Sequence, residues 1–206
     1  MQGMKDSLHK IWRWVKWPVL VVVFLYAVLV GFRTFMLFDE EKTAEAVAQI
    51  HAQKITLADV TGTNLPPVPD QAENDATVAG IDKNNNGIRD DVELAIFKKY
   101  PNSAKIRAAE LQYAMALQLM LTTVRNTDTW IAAAIETSRG SGCIGETFSR
   151  TNLQEYINTT RERSEEVRKF VINTSLRESA KNNAYNFTTS YALPDEDLCN
   201  VDLNTL

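Results

Sequence analysis

The chain is poor in the side chains that most enzymes use for acid–base and nucleophilic work: its 206 residues include two histidines and two cysteines. His9 and His51 stand far apart, and no His, Cys and carboxylate set has ligand spacing, which argues against zinc catalysis. Glycine and proline are scarce as well, at 8 and 6, which excludes collagen-like and low-complexity chains. No alternating pattern marks a strand and no internal repeat is present. Basic residues are few beyond the N-terminus. Residues 1–38 hold Lys5, Lys10, Arg13, Lys16 and Arg33 against Asp6, leaving 17 basic and 25 acidic residues in 39–206, a net of −8. A domain of that sign is repelled by a phosphate backbone, and its cations form no stripe interleaved with aromatics, so no nucleic-acid partner is expected.

What the sequence does contain is one long apolar run. From Trp17 to Phe38 it reads WPVLVVVFLYAVLVGFRTFMLF, 22 residues whose single ionisable group, Arg33, stands near one end where its side chain can snorkel. Trp12, Trp14 and Trp17 lead into the run, and indole rings favour the membrane interface. Four basic residues precede it, so the positive-inside rule predicts a cytoplasmic N-terminus and an exported remainder. A cleaved signal peptide, with Ala44-Glu45-Ala46 as the small-residue site, is the competing reading. The expected organisation is a basic tail over 1–16, a transmembrane helix over 17–38, a helical stalk over 39–60, a proline-rich linker over 61–80 and a helical domain over 81–206. The fold class expected is all-α.

Within that domain, Ser103 is placed to cap a long core helix whose apolar residues run from Ile106 to Val124. A shorter helix begins near Thr127 or Asp128 and is expected to stop before Gly140 and Gly142. Thr151-Asn152-Leu153-Gln154 has capping-box spacing and opens a last long helix. The charge run RERSEEVRK at 161–169 reads as a solvated helix face, with a docking surface as the alternative.

The strongest local signal is Asp82-Lys83-Asn84-Asn85-Asn86-Gly87-Ile88-Arg89-Asp90-Asp91-Val92-Glu93. Oxygen-bearing side chains fall at loop positions 1, 3, 5, 9 and 12, with glycine at 6, as a calcium ion needs when it gathers six to eight oxygens. The candidate ligands are Asp82, Asn84, Asn86, the carbonyl of Ile88, Asp90 and Glu93. These residues resemble the EF-hand family of calcium loops. The missing helix before the loop and the apolar residue at Ile88 are closer to the single-helix loops of dockerins and thrombospondin type 3 repeats. The resemblance covers these 12 residues and implies a bound calcium of structural rather than regulatory role. The plainer alternative is a turn at Asn-Asn-Asn-Gly with Asp90 capping the next helix.

Cys143 and Cys199 fall on the expected exported side, where a disulfide can form and would tie the C-terminal tail to the glycine-rich segment. A nucleophilic Cys143 is the rival reading, but neither histidine is placed to serve it as a base. The function expected is a membrane-anchored, calcium-stabilised interaction or scaffold protein of the cell envelope, partnered by the membrane and another envelope protein. The alternative is an envelope hydrolase, glycan-acting for example, with a carboxylate pair that the sequence does not single out. The periplasmic side of a bacterial inner membrane is the expected location, and an extracellular domain would read the same way.

Overall fold

A computed structural model describes residues 2–193, 195 and 197–206, excepting the side chains of 2–15 and 35. The fold is all-helical, as predicted, with no strand among the described residues. In chain order the helices are α1 (Gln2–Ala52), α2 (Leu57–Thr61), α3 (Gln71–Asp75), α4 (Asp90–Lys99), α5 (Ala104–Thr122), α6 (Thr127–Gly145), α7 (Leu153–Val171) and α8 (Ser175–Tyr185). A 3₁₀ turn follows at Leu203–Thr205. The chain divides into two compact units, Met1–Glu45 and Ala46–Leu206.

The first unit is helical from Gln2 onward. Among the described residues it carries the one helix long and apolar enough to cross a membrane. Every described side chain from Trp17 to Phe38 is exposed. The side chains of Lys5, Lys10, Arg13, Trp12 and Trp14, on which the expected interface boundary also rests, lie outside the described residues.

The second unit is built around α5. Ser103 caps it as expected, accepting the Ile106 N–H at 3.3 Å. Every residue from Arg107 to Leu121 is buried, so the helix is enclosed on all sides rather than along one stripe. It packs chiefly on α6 and also meets α2, α4, α7 and α8. The segments expected as stalk and linker lie, from Ala46 on, within this unit. Ile50, Ile55 and Val60 are core residues. Inside the proline-rich stretch Asp70 caps α3, accepting the Glu73 N–H at 2.9 Å, and Asn74 is fully buried.

The glycines at 140 and 142 do not end α6, which runs on to Gly145. Their role is contact: a Cβ on Gly140 would lie 2.8 Å from the Tyr113 Cα, so the missing side chain lets α6 approach the α5 backbone closely. Cys143 therefore sits on a helix, 1 % exposed, and is bonded to Cys199 at 2.07 Å. That bond overturns the nucleophile reading, since no described cysteine is free. Closing a loop of 56 residues stabilises the fold by about 4 kcal/mol in the chain-entropy account.

The charge run on α7 is only partly solvated. Arg163 reaches inward to the buried Glu110 at 2.8 Å, and Arg168 donates to the Tyr113 hydroxyl at 2.9 Å. Asn152, one residue later than the predicted box, caps α7. The helix then breaks after Val171, and α8 starts behind the Thr174 cap.

Gly140→Ala pits a gain of about 1 kcal/mol in helix propensity against overpacking of backbone on backbone, which costs about 1–3 kcal/mol. Thermal denaturation should show a lowered Tm for Gly140→Ala. Gly142→Ala should be neutral or mildly stabilising, because its Cβ meets only the movable Leu198 side chain at 3.1 Å.

Candidate metal centre

The loop from Asp82 to Glu93 is held at both ends before any ligand is considered. The Asp90 N–H donates to the Ile81 carbonyl at 2.8 Å, and the Ile81 N–H donates to the buried Asn74 side chain at 3.0 Å. Between these ties the chain turns through left-handed backbone at Asn85 (φ 55°) and Gly87 (φ 83°), conformations that Asn and Gly adopt at least cost. Ile88, fully buried, drives the middle of the loop into the core. Lys83 and Asn85, the non-ligand positions two and four, are exposed.

Asp82 accepts the N–H groups of Asn86 (3.2 Å) and Gly87 (2.9 Å), and Asn86 Oδ1 accepts the Ile88 N–H at 2.9 Å. Asp90 Oδ1 accepts the Lys83 N–H at 3.0 Å across the loop. Asn84 and Asn86 both donate through Nδ2 to Glu93 Oε2, at 3.0 and 3.1 Å. The structure thus brings Asn84, Asn86 and Glu93 together directly, while Asp82 and Asp90 brace the turn from its two sides. Capping does not explain Asp90: it is the first residue of α4, behind Arg89, and that terminus has no side-chain cap.

Among the described residues, no three His, Cys, Asp or Glu side chains form a ready group for a metal. The loop offers a mixed oxygen set instead, and its unpartnered atoms are informative. Asn84 Oδ1, Asp90 Oδ2 and Glu93 Oε1 are buried without a hydrogen-bond partner, at positions three, nine and twelve. Asp90 and Glu93 are fully buried as residues. Leaving such oxygens unpaired costs about 1–3 kcal/mol each, more when charged. A hard divalent cation that takes oxygen ligands would supply the missing partner.

The titration of these groups fits the same account. Burial pushes the Glu93 carboxyl up to about 7, against the Asn84 and Asn86 hydrogen bonds, and the charges of Asp59 and Asp90 add to the rise. Asp90 is also raised, by burial first and by the charge of Asp82 among the lesser causes. Asp59 behaves differently. Burial acts upward on it, but hydrogen bonds from the Thr56 hydroxyl and N–H, Asn64 and Asn86 outweigh that and hold it below the ordinary carboxylate value.

Sequence reasoning did not select Asp59, Asn64 or Gln53, which touch the loop from the preceding segment. Asn84 Nδ2 donates to the Asn64 carbonyl at 2.8 Å, Asn86 Nδ2 to Asp59 Oδ1 at 3.5 Å, and Gln53 Nε2 to the Asn86 carbonyl at 3.1 Å. No spacing rule marks these residues, since their link to the loop is made in space.

Elsewhere the surface holds shallow clefts. The acids lining one of about 660 Å³, Glu146, Asp197 and Asp202, are all exposed. In a second, of about 500 Å³, the buried Glu136 is compensated by His51 at 2.8 Å, Arg139 at 3.1 Å and Lys54 at 3.4 Å.

Without metal, the Glu93 contribution to stability is fully present below about pH 4.5, the value in the unfolded chain, and is lost as pH rises through about 7. Melting in chelator should therefore show a component of Tm that falls between about pH 5 and about pH 8. Glu93→Gln should remove that component, and an unchanged slope in the variant would refute the assignment. In comparisons with known protein families, curated proteins and solved structures, the chain matches none.

Proposed function

We infer that this chain is a membrane-anchored interaction or scaffold protein of the cell envelope whose helical domain is stabilised by calcium in the loop from Asp82 to Glu93. The observation that carries the reading is the set of buried, unpartnered oxygens at three ligand positions, Asn84, Asp90 and Glu93. The expected ligand set is completed by Asp82, Asn86 and the Ile88 carbonyl, in the manner of the calcium loops that this segment resembles. The role is structural rather than regulatory. With three carboxylates and two amides the site carries modest charge, which goes with the weaker affinities of modules bathed in millimolar calcium.

The apolar helix supports anchorage, with the N-terminus cytoplasmic and the domain exported. The bond between Cys143 and Cys199 suits an oxidising compartment such as the periplasm or the cell exterior. An interaction role is favoured over a hydrolytic one because the acids lining the clefts of about 660 and 710 Å³, Glu146, Asp195, Asp197 and Asp202, are open to water. Glycoside hydrolysis calls for one carboxyl sequestered enough to keep its proton.

Calcium should raise the melting temperature of the full-length protein in detergent, by an amount equivalent to about 2.7 kcal/mol at a hundredfold excess over Kd. Glu93→Gln or Asp82→Ala should abolish the rise and Lys83→Ala should retain it. Magnesium should substitute poorly, because it demands a tighter octahedron. Identical melting in calcium and in chelator would end the proposal. On alkaline carbonate extraction the full-length chain should stay with the membrane pellet, whereas a soluble product beginning near Val47 would establish cleavage.

A further inference from the structure

An asparagine that gives its oxygen to a metal must place its two N–H donors elsewhere, and partners beyond the ligands fix the ligands' orientation. At Asn84 this division is already made. Its Oδ1 is buried and unpartnered, while its Nδ2 donates to the carbonyl of Asn64, which lies outside the loop. Asn86 is gripped from the same segment, with Nδ2 towards Asp59 Oδ1 and its carbonyl accepting from Gln53 Nε2. Asn64 Nδ2 in turn donates to Asp59 Oδ1 at 3.2 Å. All three contacts from residues 53–64 therefore fall on loop positions three and five.

We propose that residues 53–64 form the outer half of the calcium site, with Gln53, Asp59 and Asn64 acting as positioning groups for the Asn84 and Asn86 ligands, so that ion binding and docking of this segment are one coupled equilibrium. The proposal rests on the calcium reading above and adds the partner that completes it. The segment is organised for the task. Thr56 and Asp59 form a reciprocal capping box around α2, Gly62 closes the helix at φ 82°, and Arg107 Nε holds the Val60 carbonyl at 3.0 Å. Asp59 is itself 3 % exposed, and its charge faces that of Glu93. A cation held by Glu93 would relieve that repulsion, while Asp59 fixes the Asn86 amide nitrogen on the side away from the ion. By reciprocity, the factor by which docking of 53–64 raises calcium affinity is the factor by which calcium strengthens that docking. Because α1 ends at Ala52, the coupled segment is the first stretch of chain after the apolar helix.

The test uses the full-length protein in detergent micelles, with calcium chloride as the probe and a chelator as the control. In hydrogen exchange, peptides covering 53–64 should slow by about tenfold or more on adding calcium, and that slowing should vanish in Glu93→Gln. In calcium titrations, Gln53→Ala and Asp59→Ala should each weaken binding by about tenfold. Asp59→Asn, which keeps an oxygen for the Thr56 and amide donors, should recover part of that loss. Should Asp59→Ala fail to fold, the wild-type exchange data and the milder Gln53→Ala still decide. Calcium binding of unchanged affinity in Gln53→Ala and Asp59→Asn, with exchange slowed in 82–93 but not in 53–64, would overturn the coupling and leave the calcium site standing. No binding by the wild-type chain at millimolar calcium would overturn both.

Discussion

Enclosing a helix on every side leaves its polar residues little access to water, and this constraint on α5 organises the second unit. Each buried polar side chain of α5 meets a backbone group or an ion from a different part of the chain. Arg107 takes the carbonyls of Val60, Tyr100 and Pro101. Gln118 donates to Ala79, and Gln112 both donates to Leu198 and accepts from the Asn200 N–H. Glu110 accepts from Arg163 on α7. Segments without regular structure carry backbone groups that must be satisfied once buried, and α5 supplies the partners. The short helix α2 and the irregular stretches around residues 79 and 199 are therefore fixed to one rod.

The candidate metal loop belongs to this scheme through Arg89, which stands between two candidate ligands and is fully buried. Its guanidinium donates to the Phe170 and Val171 carbonyls at the end of α7 and to Asn173 Oδ1, where a cation also complements the helix dipole. Arg177, likewise fully buried, shares Asn173 Oδ1 at 2.6 Å and holds the carbonyls of Asn74, Thr77 and Val78. Two like charges thus meet at one amide oxygen, tolerated because Asp91 and Asp75 each neutralise one of them. The loop, the 74–78 stretch and the α7–α8 corner are fastened at a single node.

Periodicity and capping made much of the fold legible in the sequence. The helical class, the Ser103 cap and the core position of α5 all follow from apolar spacing and one serine. Other elements were hidden for physical reasons. Gly140 and Gly142 read as helix breakers by propensity, yet close packing against Tyr113 outweighs propensity at Gly140. Arg163 and Arg168 read as solvent-facing because nothing in a charge run tells which guanidinium finds a buried partner. The candidate ligands were visible because their spacing lies within one turn of chain. Gln53, Asp59 and Asn64 were not, because contact with the loop depends on how α2 folds back.

The bond between Cys143 and Cys199 has a further consequence, because α7 and α8 lie wholly between the two cysteines. That part of the protein is a covalent ring rather than a strip of chain. A protease that nicks the exposed stretch at 149–152, or any other peptide bond within the ring, opens it without releasing a fragment. The cut molecule keeps its mass, and both new ends stay tied to α6. Damage of that kind becomes a loss only when the disulfide is reduced as well, so in an oxidising compartment the domain can be broken once and remain one molecule.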